Sequence, residues 1–153
     1  MAGHLTDLDS IDRRIVGELV KDGRVSIRTL ADRIALSSSA TSERVRRLEE
    51  RGVIVGYRAV LSAHAVGRPV DAMVGVRATP NADREPLEAW FRAQSSIVEV
   101  VHLTGPHDYV VRARCRDTGE LDSLLMRMKS EAGVADTETR IVLRALDIEP
   151  QGV

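Results

Sequence analysis

The hydrophobic period of this 153-residue chain changes once, near Gly52, and that change limits what the chain can fold into. Before Gly52, apolar residues recur at intervals of three and four, which is typical of amphipathic helices. After Gly52, short stretches rich in valine alternate with two helical stretches. The sequence therefore predicts an α+β protein with a helical domain at residues 1–52, a connecting strand and linker at 53–69, and a second domain at 70–153.

The helical part contains three predicted helices, at about residues 9–20, 26–34 and 38–51. Serines stand where the second and third helices begin, and serine is a preferred N-cap. The first helix has an apolar stripe formed by Leu8, Ile11, Ile15 and Leu19. The residues predicted to face inward are Leu30, Ala31 and Ile34 in the second helix and Ala40, Val45 and Leu48 in the third. Helix, tight turn and helix at these lengths predict a three-helix helix-turn-helix domain.

The remainder of the chain predicts a sheet with two helices. Val53–Leu61 is rich in β-formers and is expected to be a strand, and Ser62–Pro69 is expected to be a linker. Further strands are predicted at 70–78, 97–103, 108–115 and 134–144, with helices at 83–93 and 118–129. This order is βαββαβ, the ferredoxin-like arrangement, in which both helices cover one sheet face. The alternating apolar strands predict dimerisation through the other face.

Charge and composition restrict the function classes. The net charge is −1, but residues 1–60 carry +2, residues 61–153 carry −3, and residues 24–58 alone carry +4. A basic N-terminal part followed by an acidic C-terminal part favours an anionic partner for the N-terminal part. No apolar run is long enough for a membrane span, the N-terminus does not read as a secretory signal, and Cys115 is the single cysteine. We therefore expect a cytoplasmic protein without cofactor, metal or catalytic site.

The predicted third helix carries the strongest local signal for DNA binding. Its first turns are small and polar, so they can approach DNA closely and donate hydrogen bonds to phosphates or bases. Arg24 and Arg28 precede or open the second helix, where the first helix of such a motif crosses the DNA backbone. The predicted DNA-binding residues are Arg24, Arg28, Ser37, Ser38, Ser39, Thr41, Ser42, Arg46 and Arg47. Among them, Ser38, Ser39, Thr41, Ser42 and Arg46 are the candidates for reading bases.

A structural alternative exists for the same residues. The serines can simply cap the helix, and the arginines can pair with Glu43, Glu49 and Glu50 at spacings of three or four. For Arg44 and Arg51 we favour such pairing. For Ser38, Thr41 and Arg46 we favour DNA contact.

Residues 8–61 resemble the DNA-binding half of the Lrp/AsnC, or feast-famine, regulators. The resemblance rests on Asp9, Asp12, Ile15, Gly23-Arg24, Leu30-Ala31, Leu36-Ser37, Arg44-Val45, Arg47-Leu48-Glu49, Gly52-Val53-Ile54 and Gly56-Tyr57. The rest resembles that family's ligand-sensing domain through Thr104-Gly105-Pro106-His107-Asp108-Tyr109 and Thr137-Glu138-Thr139. Two positions depart from the family pattern, since Ala35 replaces a usual glycine and Ser62 a frequent aspartate.

The resemblance implies a sequence-specific transcription regulator whose DNA binding or assembly responds to a small effector, typically an amino acid. It places the effector at the turn between the second and third strands of the sensing domain. Backbone N–H groups around Gly105 can bind a carboxylate and Asp108 can accept an ammonium group. The residues implied are Thr104, Gly105, His107, Asp108, Tyr109, Thr137 and Thr139. From turn chemistry alone, Gly105 and Asp108 would simply form a tight hairpin.

The partners implied are double-stranded DNA with a roughly palindromic operator, the effector, and further copies of the chain as dimers that join into tetramers or octamers. Two other functions fit the same layout. Siroheme decarboxylases resemble it and would use histidines such as His102 and His107 beside a tetrapyrrole. A nucleoid-type architectural protein would bind DNA with little sequence preference.

Overall fold

The computed structural model describes residues 8–146, which form two compact units. The described parts of these units are residues 8–60 and 61–146. The first seven and last seven residues, including the end of the predicted second domain, lie outside the described residues. Within residues 8–146, no helix has the length and apolar character that crossing a membrane requires.

The first unit contains three helices, α1 (Ser10–Lys21), α2 (Ile27–Ile34) and α3 (Ser38–Glu50). Their N-caps are Asp9, Ser26 and Ser37, and each cap side chain accepts hydrogen bonds from backbone N–H groups of the first helical turn. The apolar stripes meet in one core, whose buried members are Ile15, Val16, Leu30, Ile34, Val45 and Leu48. The predicted helix-turn-helix is confirmed.

The turn between α2 and α3 contains a strained residue. Ala35 has φ 61° and ψ 48°, the left-handed conformation that favours glycine. Ala35→Gly should therefore raise the free energy of unfolding by about 0.5–1 kcal/mol, because relief of strain exceeds the entropy that glycine adds to the unfolded chain. Urea unfolding followed by circular dichroism measures it.

Gly52 supplies the matched control for this prediction. It follows α3 at φ +70°, and a Cβ built on it meets no atom within 4 Å, so Gly52→Ala introduces the same strain without a clash. Gly52→Ala should destabilise the protein by about 1 kcal/mol. A loss of stability in Ala35→Gly would show that the alanine methyl group makes a contact worth more than the strain.

The second unit is a four-stranded antiparallel sheet with two helices. Its elements are β1 (Val70–Ala78), α4 (Arg84–Ala93), β2 (Ile97–His102), β3 (Tyr109–Cys115), α5 (Thr118–Glu131) and β4 (Val134–Ile141). The strand order is β2-β3-β1-β4, and both β3 and β4 pair antiparallel with β1. This arrangement confirms the predicted ferredoxin-like α+β fold.

The core of the second unit lies between the helices and one face of the sheet. Alternate residues of β1 and β3 are buried there, among them Val74, Val76 and Val111. Leu87 and Phe91 of α4 pack against them, together with Leu121, Leu124 and Met128 of α5. We call this the helix face and the other side the open face.

The open face, through which dimerisation is predicted, carries ion pairs between neighbouring strands. Asp71 of β1 accepts a two-pronged hydrogen bond from Arg112 of β3, at 2.9 and 2.7 Å, and Arg114 lies 3.5 Å from the same carboxylate. Arg112 is the main reason that the pKa of Asp71 lies below its usual range. Paired charges therefore occupy much of this face. The alternation of apolar residues in the sequence could not predict them, because it does not show which polar residues pair across strands.

Val53–Leu61 was predicted to be a strand, and that prediction is wrong for the single chain. The segment runs without regular secondary structure, and residues 55–61 form no backbone–backbone hydrogen bond within residues 8–146. Val55 and Val60 are 93% and 94% exposed. A strand needs a neighbouring strand to accept and donate its backbone hydrogen bonds, and the described chain offers none beside this segment.

Candidate nucleic-acid and effector sites

The N-terminal end of α3 presents a polar surface. Ser37 Oγ accepts a hydrogen bond from the backbone N–H of Ala40 at 3.2 Å and lies 3.1 Å from Ser39 Oγ. Ser38, Ser39 and Ser42 are exposed. Ser37 thus holds the helix start in place, while the other three hydroxyls face solvent where a DNA groove can reach them.

Thr41 does not belong to this surface, so its prediction as a base-reading residue is wrong. Its side chain is fully buried, and its hydroxyl donates to the Ser37 carbonyl at 2.9 Å. Thr41 lies four and seven residues before Val45 and Leu48, which places all three on one helix face. Ala40, predicted to be buried, is exposed instead.

Arg46 is exposed but paired in the free protein. Its guanidinium donates to both carboxylate oxygens of Glu43, at 2.6 and 3.1 Å, and also to Glu50. These contacts raise the pKa of Arg46, mainly through the hydrogen bonds that it donates to Glu43, and the same hydrogen bonds lower the pKa of Glu43. Exposed ion pairs contribute little free energy, so DNA can displace the carboxylates.

Three other predicted DNA-binding arginines are available without such an exchange. Arg24, Arg28 and Arg47 are exposed, and their side chains form no hydrogen bond or ion pair within residues 8–146. Unpaired guanidinium groups on a helix-turn-helix unit can neutralise phosphates directly.

Arg44 has a structural role different from the one predicted. It was expected to pair with neighbouring glutamates, but its Nη1 donates to Asp9 Oδ2 and Asp12 Oδ1, each at 2.6 Å. Both aspartates belong to the start of α1, so Arg44 connects α3 to α1. More than 30 residues separate Arg44 from each aspartate, so spacing rules for side chains on one helix cannot predict this pair.

The turn between β2 and β3 is closed by a hydrogen bond from the Leu103 N–H to the Asp108 carbonyl, at 2.8 Å. Thr104 and Gly105 are exposed at its tip, and Gly105 has φ +119°. His107 leaves the turn on the open face, where its ring lies against Gly75 and its Nε2 is 3.5 Å from Glu138 Oε2. This histidine therefore points away from the helix face.

Asp108 and Tyr109 lie at the opposite side of the turn. Asp108 Oδ2 accepts a hydrogen bond from the Ala78 N–H at 2.9 Å, so one carboxylate oxygen holds the end of β1. Tyr109 is buried on the helix face, packs against the His102 ring at a tilt of 44° with ring centroids 4.9 Å apart, and its hydroxyl lies 3.3 Å from a Glu88 carboxylate oxygen. Burial is the main cause of its raised pKa.

Asp108 and Tyr109 line a cavity of about 230 Å³ that also touches the end of β1 and the start of α4. The other five predicted effector residues, Thr104, Gly105, His107, Thr137 and Thr139, are not in its lining. Thr137 and Thr139 lie in β4 opposite Val76 and Val74, and the former is half-buried. Only two of the seven predicted residues therefore line this cavity.

The cavity contains a residue that the sequence analysis missed, Arg84, the first residue of α4. A signal for it was present in the sequence. The N-terminus of a helix carries partial positive charge, so an arginine in the first turn is uncommon, although water screens this cost for the exposed Arg84.

Comparison with known proteins identifies the family. Residues 8–55 match the winged helix-turn-helix DNA-binding domain, and residues 71–151 match the Lrp/AsnC ligand binding domain. This chain belongs to the Lrp/AsnC family of transcription regulators. The regulator is 38% identical over 137 residues to LrpA of Mycobacterium tuberculosis, covering 88% of this chain and 90% of that one. It is 36% identical over 143 residues to the leucine-responsive regulatory protein of Haemophilus influenzae, covering 89% and 84%.

Comparison with solved structures supports the same family. A transcriptional regulator of Neisseria meningitidis, in complex with L-methionine, superposes with a TM-score of 0.88 at 28% identity, covering 96% of both chains. A feast or famine regulatory protein of M. tuberculosis, also complexed with L-methionine, gives 0.87 at 34% identity and covers 95% and 98%. The protein is therefore a DNA-binding transcription regulator with a ligand-binding domain, and the siroheme-decarboxylase alternative is set aside.

Proposed function

We propose that this regulator binds a roughly palindromic operator as a dimer and that an amino acid bound to the second unit changes its DNA binding or assembly in the cytoplasm. The observation that carries the DNA-binding part is the exposed polar start of α3 on a unit that also exposes three arginines without an ion pair in residues 8–146. Ser38, Ser39, Ser42 and Arg46 contact bases, while Arg24, Arg28 and Arg47 contact phosphates. Ser37 holds the helix start against the DNA backbone.

The amino-acid part rests on the match to a ligand-binding domain and on the two similar regulators solved with L-methionine. We propose a free amino acid as the effector and place it at the β2–β3 turn. Asp108 and Tyr109 contact it within one chain, and the exposed Thr104 and Gly105 face a neighbouring copy in the larger assembly.

Arg46 and Arg47 provide the test of the DNA-binding roles. Arg46→Ala should weaken operator binding by about 1–3 kcal/mol and leave binding to random DNA nearly unchanged, because a base contact is lost. Arg47→Ala should weaken binding to both DNAs about equally and reduce the salt dependence of the binding constant by roughly one phosphate contact.

Fluorescence anisotropy with the chain's own upstream DNA and a shuffled duplex, at several fixed salt concentrations, measures these effects. Arg13→Ala is the matched control, since Arg13 is exposed on α1 and is paired with no group in residues 8–146. An equal loss on both DNAs for Arg46→Ala would move that residue from base contact to phosphate contact. Equal wild-type affinity for both DNAs would favour the architectural function.

The exposed segment Val53–Leu61, which we call the connector, supports the dimer. Its backbone forms no backbone–backbone hydrogen bond between residues 55 and 61 within the described part of the chain, and Val55, Tyr57, Val60 and Leu61 are all exposed. Pairing of two connectors would satisfy these backbone groups and bury the apolar side chains at once. Dimers that join into tetramers or octamers then bring β2–β3 turns of different copies together.

A further inference from the structure

The linker, residues 62–69, follows the connector at the point where the second unit begins, and it is folded onto itself. Three backbone hydrogen bonds, between 2.8 and 3.1 Å, join the N–H groups of residues 66–68 to carbonyl groups of residues 62–64. Most of its side chains are exposed, including Val66 at 49%. The linker is therefore a surface turn, and few contacts attach it to the rest of the second unit.

Arg68 makes this attachment. Its Nη1 donates to the Arg114 carbonyl at 2.9 Å and to Glu120 Oε1 at 3.1 Å, and its Nη2 lies 3.4 Å from Ser95 Oγ. The Arg68 and Glu120 side chains are only 26% and 19% exposed, so salt screens this ion pair less than a fully exposed one. Within residues 8–146, no other linker side chain forms a hydrogen bond or ion pair with the rest of the second unit.

Two of these contacts lie at the base of the hairpin formed by β2 and β3. Ser95 precedes β2 and Arg114 is next to the last residue of β3, and the Arg114 N–H donates to the Ser96 carbonyl at 2.7 Å. The β2–β3 turn lies at the other end of these strands of six and seven residues, roughly 20 Å away. Arg68 thus joins the linker to one end of a hairpin whose other end is the turn.

The second unit does not need this attachment for its own folding. Glu120 Oε2 also accepts from the backbone N and the Nε of Arg116, at 2.7 and 3.1 Å, so the carboxylate keeps a cation when Arg68 is removed. The hydrophobic core between the helices and the sheet includes no linker residue. Loss of the Arg68 side chain should therefore release the linker and leave the sheet and helices folded.

We propose that Arg68 is a positioning residue that couples the β2–β3 hairpin to the connector, so that an effector bound to the second unit changes DNA binding through the linker. This inference rests on the proposed amino-acid response and adds the contact that transmits it. A shift at the base of the hairpin moves the groups that Arg68 contacts, and the guanidinium carries that shift to the linker backbone. A released turn of exposed residues would absorb the same shift, because it has many conformations of similar free energy.

Arg68→Gln in the full-length protein tests the coupling. Fluorescence anisotropy gives the operator dissociation constant without and with saturating L-methionine, and the ratio of the two is the coupling factor; the other proteinogenic L-amino acids are screened alongside. The wild type should show a factor of about 5–150, the usual range for coupled sites, and Arg68→Gln a factor within about twofold of one. Effector affinity of the DNA-free protein and affinity for a single half-site should stay close to the wild-type values, whereas a merely structural defect would lower both.

Arg116→Gln is the matched control. Arg116 pairs with the same Glu120 but is 70% exposed and does not contact the linker, so this variant should keep the wild-type coupling factor. Arg68→Lys keeps a cation for Glu120 but replaces two donor nitrogens by one, so it should lose part of the factor. Its coupling factor decides the matter if Arg68→Gln does not fold, and a wild-type value would then overturn the role of Arg68.

The remaining outcomes separate this coupling from the proposed function. If the wild type responds to an amino acid and Arg68→Gln responds equally, the proposed role of Arg68 is overturned while the amino-acid response stands. An equal loss of coupling in Arg116→Gln would also overturn it, because the charge around Glu120 would then matter and the linker contact would not. If the wild type responds to none of the amino acids, the proposed amino-acid response fails and this coupling fails with it.

Discussion

The double variant Val55→Glu, Val60→Glu should be a monomer at concentrations where the wild type is a dimer, and it should lose most of its operator affinity. Both valines lie in the connector and are more than nine-tenths exposed in the single chain. Burying one valine contributes about 1.5 kcal/mol, and a two-fold interface counts each change twice. Two carboxylates per copy add repulsion across the axis.

The expected weakening of the dimer is therefore at least about a thousandfold, since each 1.4 kcal/mol corresponds to a factor of ten. Operator binding falls with it, because each half-site is then held by one helix-turn-helix alone. Sedimentation velocity measures the assembly, and anisotropy on the palindromic site and on a single half-site measures DNA binding. Half-site affinity should remain close to that of the wild type.

Met126→Glu serves as the control for added charge at an exposed apolar residue. Met126 is 63% exposed on α5, far along the chain from the connector, and its replacement should leave the dimer intact. If the connector variant remains a dimer while α1–α3 stay folded, assembly uses another surface. The paired charges of the open face would then be the next surface to mutate.

The sequence was sufficient to predict the helices and strands that are specified by caps and apolar patterns within the element itself. Caps at Ser26 and Ser37 and the apolar stripes of the three N-terminal helices lie within a few residues of what they stabilise. Alternation in β1 and β3 likewise decides which side chains face the helices. Such patterns depend on the period of the backbone and little on distant contacts.

Thr41 shows where a local signal was available and was misjudged. The spacing from Val45 and Leu48 already placed Thr41 on their face, but the hydroxyl suggested a polar environment. The structure shows that the Ser37 carbonyl accepts that hydroxyl, so a threonine is buried without an unsatisfied donor. Residue polarity alone does not decide burial when the helix itself offers a partner.

Other features depend on groups far apart in sequence or on another copy. Arg84 and Asp108 share a cavity although 23 residues lie between them, and no period in the sequence connects them. The connector has the composition of a strand, yet a strand forms only where a second one is present. For the same reason the ion pairs of the open face could not be read from alternation.

Replacing Arg44 with methionine should lower the free energy of unfolding by about 2–3 kcal/mol, because Asp12 then keeps a nearly buried carboxylate without its cation. Asp12 is 6% exposed, and Arg44 is its ion-pair partner at 2.6 Å. Methionine keeps much of the packing of the arginine stem, so the loss reports chiefly the charge. The expected value is below that of a fully buried pair because water reaches Arg44 and Asp9.

Urea unfolding followed by circular dichroism at 222 nm measures this loss. Trp90, the single tryptophan, lies in α4 and reports the second unit by its fluorescence, whose midpoint should move less. Arg47→Met on the same helix is the matched control. Arg47 is exposed and has no ion pair within residues 8–146, so its replacement should change stability by no more than about 0.5 kcal/mol.

The loss of stability in acid should also report the ion pair between Arg44 and Asp9. The backbone N–H of Asp12 and then Arg44 hold the pKa of Asp9 below its usual value. A lowered pKa stabilises the folded state above the unfolded pKa, and that stability is lost as the pH falls through the folded pKa. In Arg44→Met the folded pKa of Asp9 rises, so stability should fall less steeply with pH in this range.

A second substitution separates the charge from the geometry. In the Arg44→Met background, Asp12→Asn removes the unpaired carboxylate and should recover part of the lost stability, whereas in the wild type Asp12→Asn should be destabilising. If Asp12→Asn costs the same in both backgrounds, Arg44 and Asp12 are not coupled. The connection between α1 and α3 then depends on apolar packing alone, through Ile15, Val45 and Leu48.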